Sequence, residues 1–314
     1  MPVEKADSLA EIEAIGFQIE FHSHARAILS VDFPSAVDEL SQVLLAVTIP
    51  IEEIIAGGGG EAKGTQRLRH GLTELKWLKT EFVIEKKING KQRESISHEK
   101  DHVREFDAGT IALEIEWNNK DPFFDRDLEN FKRLHADGAI SVGVIVSRGK
   151  SLHDNMRDLV RRFVNDRNIA GFADLEQWGY EPTSKQRTAI NKRTSREKNP
   201  VTFQEAFVDK FVSDKFGEAT THWRKLEDRV RRGVGNPCPL LLIGLPDSIV
   251  TFHEGEPAVV NGAPRSDVNT KGDLGSCPRW RRRKARSSSP RMGWVLGVPR
   301  FTLRTCSAAE VNSI

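Results

Sequence analysis

The sequence predicts an α/β fold, a mixed central sheet with flanking helices. Three observations lead there. Asn89-Gly90 sits between alternating apolar stretches, a strong β-hairpin signal. The runs AISVGVIVS (139–147) and PLLLIGL (239–245) are continuously apolar, as in strands buried on both faces of a sheet. Around them apolar residues recur at helical spacing, so a hairpin feeds a helix crossover.

Taken in order, residues 24–48 carry helical spacing, with Asp32-Phe33-Pro34 opening a second helix, Ser35 to Val47, before Pro50. The glycine-rich stretch AGGGGEAKGTQ (56–66) is expected to be a mobile loop. A phosphate-binding loop needs Gly-Lys followed directly by Ser or Thr, and the order here is Ala62-Lys63-Gly64-Thr65. An amphipathic helix is predicted over Gln66 to Lys79, and strands over 80–118. Phe124, Leu128, Phe131 and Leu134 then share one face of a helix over 124–137, with Asp125 available as its cap and Gly138 as its end. Helix with an interruption near Gly171 follows over 151–180. Residues 185–198, with six Lys and Arg against one acid, are expected to be loop. An amphipathic region from Phe203 to Arg232 precedes the second buried strand.

A chain of 314 residues with 38% hydrophobic and 29% charged residues suits a soluble globular protein. No apolar run reaches the roughly 18 residues that span a bilayer, and the N-terminus lacks the pattern of a secretory signal. Three scattered cysteines argue against a disulfide framework or a structural zinc site and fit the cytoplasm. The net charge of +2 is uneven. Residues 247–314 hold 11 Lys and Arg against 6 Asp and Glu, and the rest holds 36 against 39. Any nucleic acid must therefore meet local basic patches of the body. Residues 262–314, rich in Gly, Pro, Ser and Arg, are expected to be a disordered, low-complexity basic tail, either an added extension or the product of an altered reading frame. The folded domain is expected over 1–261, with its core at 66–246.

The stretch TIALEIEWN (110–118) alternates with period two. Ile111, Leu113, Ile115 and Trp117 point one way, and Glu114, Glu116 and Asn118 the other. With Ala108-Gly109 as a two-residue loop, Asp101 lies opposite Glu116 and diagonal to Glu114, and His98 and His102 take the other face. Asp107 lies too far along the strand to share an ion and is held in reserve as the first acid. Three carboxylates so close repel unless a cation neutralises them, and oxygen-only ligands suit Mg²⁺. A solvated hairpin edge explains the same spacing equally well.

The block HEKDHV…ALEIEWNNKDPFFDRDLENF…GAISVGVIVSRG resembles the BglII/BstYI-type restriction endonucleases of the PD-(D/E)XK superfamily. The resemblance is strongest over 98–149 and extends from about residue 20 to 246. It implies a PD-(D/E)XK (restriction endonuclease-like) core and a homodimeric, Mg²⁺-dependent type II enzyme cutting double-stranded DNA at a short palindrome, with a cognate DNA methyltransferase as functional partner. On this resemblance Asp101 and Glu114 bind the metal. Glu116 stands where the superfamily usually has lysine, a known replacement, and orients or deprotonates the attacking water. Asn118 and Lys120 continue the face toward a phosphate. Lys192, Arg193 and Arg196 of the basic segment are further candidates for DNA contact. A structure- or lesion-specific repair nuclease of the same fold, or an inactive DNA-binding relative, are the competing readings.

Overall fold

The computed structural model describes residues 8–56 and 61–252. The chain divides into two units, Met1–Asn261 and Gly262–Ile314. The second unit lies outside the described residues, and with it the expectation of a disordered tail, as does the middle of the glycine-rich loop.

The first part of the chain forms α1 (Ser8–Ala14), β1 (Gln18–His22), α2 (Ala25–Asp32), α3 (Pro34–Leu45), β2 (Ile49–Pro50), α4 (Ile51–Ile55) and α5 (Lys63–Glu74). The hairpin strands follow as β3 (Leu78–Ile88), β4 (Lys91–Phe106) and β5 (Gly109–Glu116), then α6 (Phe123–Ala136) and β6 (Val142–Arg148). Next come α7 (Lys150–Asp166), α8 (Phe172–Gln177), α9 (Ser184–Thr194), α10 (Phe203–Lys215), α11 (Trp223–Arg231), β7 (Leu240–Leu245) and β8 (Val250–Thr251). Six strands form one mixed sheet in the order β1-β7-β6-β5-β4-β3. The central trio β5-β6-β7 is parallel, and the outer pairings are antiparallel. This is the α/β arrangement expected from the sequence, a mixed central sheet with flanking helices. No helix among the described residues is long and apolar enough to cross a membrane.

Alternation along the strands divides the core between two faces. Ile111, Leu113, Val144, Val146, Leu241 and Ile243 pack with Leu40, Leu68, Met156 and Phe207, from α3, α5, α7 and α10. Ala112, Ile145, Leu240 and Leu242 pack on the other side with Phe124 and Phe131 of α6 and Leu226 of α11. Both continuous apolar runs are strands buried along their whole length, as expected of strands covered by helices on both faces.

Three local expectations are corrected. The helix expected to reach Lys79 stops at Glu74, because Lys76 takes a left-handed φ of 66° and the chain turns into β3. Asp125 does not cap α6. Pro122 holds that position, and the Asp125 carboxylate accepts a hydrogen bond from Arg229 at 2.8 Å. The basic segment is helix α9 rather than loop. Its start is a capping box, with Gln186 N–H donating to Thr183 Oγ1 and Thr183 N–H to Gln186 Oε1.

Candidate active site

The β4–β5 hairpin is built on a loop of Asp107 and Ala108, with Phe106 opposite Gly109 and His102 opposite Leu113. The expected loop, Ala108-Gly109, is one residue off, so Glu114 rather than Glu116 is the next partner in line for Asp101. A β-bulge intervenes. Leu78 of β3 pairs with Val103 and Thr80 with Lys100, so Lys79 alone faces both Asp101 and His102. The extra residue reverses the alternation of β4 beyond that point. Lys100, not Asp101, joins Glu114 on the side of the sheet covered by α6.

Asp101 is turned outward, with its side chain 58% exposed and 3.9 Å from Lys79 Nζ. It lines an open cleft of about 1040 Å³ between the start of α5, the start of β3 with the facing part of β4, and the end of β5. His102 lines the same cleft; paired with Leu113, it keeps the face opposite Glu114 expected for it, whereas His98 turns to the α6 side beside Asn130, contrary to expectation. Lys63, Arg69, Lys79 and Lys215 supply positive charge around the cleft, and Asn118 and Asn119 lie at the end of β5. Asp107 remains exposed in the hairpin turn, away from the cleft lining.

Glu114 and Glu116 share a face, as the alternation predicts, but that face is buried and not solvated. Lys100 Nζ donates to Glu114 Oε1 at 2.9 Å, stands 3.8 Å from Asp127 of α6, and packs on the Phe131 ring. Asn119 Nδ2 donates to Glu116 Oε2 at 2.7 Å, and Arg126 reaches Glu116 at 3.5 Å and Asp127 at 2.8 Å. Burial pushes the Glu114 carboxyl up to about 7 against the pull of Lys100, and the charge of Asp101 adds the smallest upward influence. Glu116 goes up to about 8, first through burial and then through Asp127, while Asn119 and Arg126 oppose the rise. Asp127 is fully buried, and its Oδ2 has no protein donor. A proton held between Glu116 and Asp127 gives that pair the donor it otherwise lacks.

Glu114, Glu116 and Asp127 gather carboxylate oxygens with no sulfur or imidazole among them, and Lys100 and Arg126 supply the opposing positive charge. Burial is the first cause of the raised Glu114 and Glu116 values. Of the residues singled out in the sequence, Asn118 lines the cleft, with a buried Oδ1 that has no partner. Lys120 is exposed and bridges by its backbone to Thr220, outside the cleft lining. Lys192, Arg193 and Arg196 lie on or just after α9 and also outside that lining, with Arg193 donating to Asp209 at 2.9 Å. Sequence reasoning missed Lys100, Asn119, Arg126 and Asp127. Asp127 was legible, since it falls on the apolar face of α6 set by Phe124, Leu128 and Phe131. Lys100 was not, because its direction depends on the bulge.

Residues 17–245 match the family model described as restriction endonuclease BglII/BglIII. No curated protein matches the chain.

Proposed function

Because this chain belongs to the restriction endonuclease BglII/BglIII family, whose members are type II site-specific DNA nucleases, we propose that it cuts both strands of double-stranded DNA at a short palindrome, using Mg²⁺. The observation that carries the reading is the acidic hairpin beside a cleft lined by cations. Asp101 stands in that cleft, and Glu114 and Glu116 lie buried at the adjoining strand end. Asp101 and Glu114 are the acids the family resemblance assigns to the cation; the bulge puts them on opposite sides of the sheet, so they would share one ion only after β4 shifts and Glu114 leaves Lys100. When bound, Mg²⁺ supplies polarisation of the scissile phosphate and a lowered pKa for the attacking water.

The protein's own groups do the positioning. Lys100 keeps the Glu114 carboxylate fixed and charge-compensated. Asn119 and Arg126 orient Glu116, which receives or directs the water proton. Lys79 and Asn118 face the phosphate from the cleft. Lys120, and Lys192, Arg193 and Arg196 on and after α9, meet the DNA backbone farther out, where Arg and Lys bind phosphates without reading sequence. Two copies related by a two-fold axis would place one such site on each strand of a palindrome. A cognate methyltransferase protecting the same sequence would let the enzyme act in the cytoplasm beside the cell's own DNA.

Incubating long unmethylated DNA of known sequence with Mg²⁺ tests this, wild type beside Glu114→Ala. Discrete fragments that disappear in the variant are expected. A smear that disappears likewise would replace the site-specific reading with a structure- or lesion-directed nuclease. DNA binding without cleavage by folded wild type would mark an inactive relative.

A further inference from the structure

A second polar cluster lies behind the segment that follows β5. His153 stands in the first turn of α7, Glu218 in the turn after α10, and His222 immediately before α11. The two imidazole rings stack at 3.8 Å with their planes 6° apart. The Glu218 carboxylate reaches toward both, Oε1 lying 3.4 Å from His153 Nε2 and Oε2 3.6 Å from His222 Nε2. One ligand atom from each residue falls within 4.8 Å of the other two. His222 is 0% exposed, and neither of its ring nitrogens has a hydrogen-bond partner. A buried polar group left in that condition costs about 1–3 kcal/mol, and a missing ion is one physical reason for its retention. Glu218, at 73% exposure, leaves the cluster open to solvent on one side.

We propose that His153, Glu218 and His222 bind a zinc-type transition-metal dication, at a site separate from the acidic hairpin. Two imidazoles and one carboxylate are a donor set for Zn²⁺ or Co²⁺ rather than Mg²⁺, with a fourth position left for water. Metal binding requires neutral imidazoles and an ionised carboxylate.

Arg148 sets the resting tautomer. Its Nη1 lies 3.4 Å from His153 Nδ1 and can only donate, so Nδ1 accepts and the ring proton sits on Nε2, toward Glu218 Oε1. Arg148 is also the charge that opposes a cation here. It is anchored away from Glu218 by donating to the Trp117 carbonyl at 2.9 Å and the Thr221 carbonyl at 2.7 Å. For Nε2 to take the ion the His153 ring proton must move to Nδ1, so Arg148 Nη1 has to withdraw from Nδ1, and the parallel rings must splay for both lone pairs to converge.

The ion would clip the start of α7 to the 217–222 turn. Thr221 N–H donates to the Asn119 carbonyl at 2.8 Å, and Asn119 N–H donates to Thr221 Oγ1 at 3.1 Å. Asn119 in turn holds Glu116. The clip is therefore structural and acts on the acidic hairpin through Asn119 and through Arg148, which holds the Trp117 carbonyl beside Glu116.

The test uses full-length chain without a histidine tag, carrying Glu114→Ala to silence the acidic hairpin, stripped with chelator and titrated with Co²⁺. Expected are visible d–d bands that saturate at one equivalent, are displaced by Zn²⁺ and not by Mg²⁺, and accompany a rise in Tm. His222→Asn should abolish the bands. Glu218→Gln, at an exposed position that leaves the fold intact, should weaken Co²⁺ binding by more than about tenfold. Absence of bands at millimolar Co²⁺, or bands unchanged in both Glu218→Gln and His153→Gln, would overturn the proposal. Because the readout is spectroscopic in a cleavage-silent background, it stands apart from the test of nuclease activity.

Discussion

Lys100 and Glu116 show how much of this protein's behaviour is decided by single buried charges. Lys100 is 1% exposed, and its ammonium is compensated by Glu114 and Asp127. Replacing it with Met leaves two buried carboxylates without a counter-charge, and a loss of about 3–5 kcal/mol is expected in urea unfolding. The double variant Lys100→Met with Glu114→Gln should recover a large part of it. If it recovers nothing, the packing of Lys100 on Phe131 matters more than its charge. Glu116 makes a pH-dependent contribution. Its folded pKa, about 8, lies above the ordinary value of 4.5, so between those limits the folded state binds the extra proton. Stability of the protein in chelator should therefore fall as pH rises through that window, by at most roughly 1.4 kcal/mol per pH unit from this group. Melting curves of wild type and Glu116→Gln, recorded from pH 5 to pH 8.5, should converge at the acid end and separate at the alkaline end, with the variant the more stable.

Among the elements, α6 carries the largest share of the site, since it buries Asp127 against β5 and presents Arg126 to Glu116. Its close seating depends on Gly143 in β6, where an added Cβ would come within 2.6 Å of the Phe131 ring. Gly143→Ala must push α6 outward or deform β6, at a cost of about 1–3 kcal/mol. A drop in Tm of several degrees is expected, with a larger proportional loss of cleavage than Gly→Ala at the exposed Gly90 turn. Helix α9 makes the opposite case. Its capping box, Thr183 with Gln186, is written in the sequence as T-x-x-Q, yet the surrounding polar, basic composition pointed to loop. Its apolar content is too thin for periodicity to register, and only Ile190 is buried. Thr183→Ala should cost about 1 kcal/mol by chemical denaturation.

For the whole molecule, the family match over residues 17–245 coincides with the sheet and the helices packed on both its faces. Every residue assigned here to DNA cleavage lies inside that span. A chain ending at Asn261 is therefore expected to cut the same sites as the full chain, at a rate within about threefold, in agarose mapping of the fragments. Loss of cleavage on truncation would give residues 262–314 a part in DNA binding. Sedimentation of the intact protein should yield twice the chain mass if a dimer places two sites on one palindrome.

Several features were decided by the sequence alone. The alternating and continuous apolar runs placed the hairpin strands, α6 and the two buried strands, because local periodicity selects the face each segment buries. The block from His98 to Gly149 carried the family, and the spacing of Glu114 and Glu116 put both on one face. Tertiary structure alone decided which acid meets which cation. The bulge opposite Lys79 exists only in the pairing of β3 with β4, and it sends Asp101 into the cleft and Lys100 into the core. Burial by α6, set by contacts more than ten residues away in sequence, turned an apparently solvated face into one that raises the carboxyl pKa values. The cluster of His153, Glu218 and His222 is drawn from segments up to 69 positions apart. No spacing rule joins such residues, because their proximity is a property of packed helices and not of the chain between them.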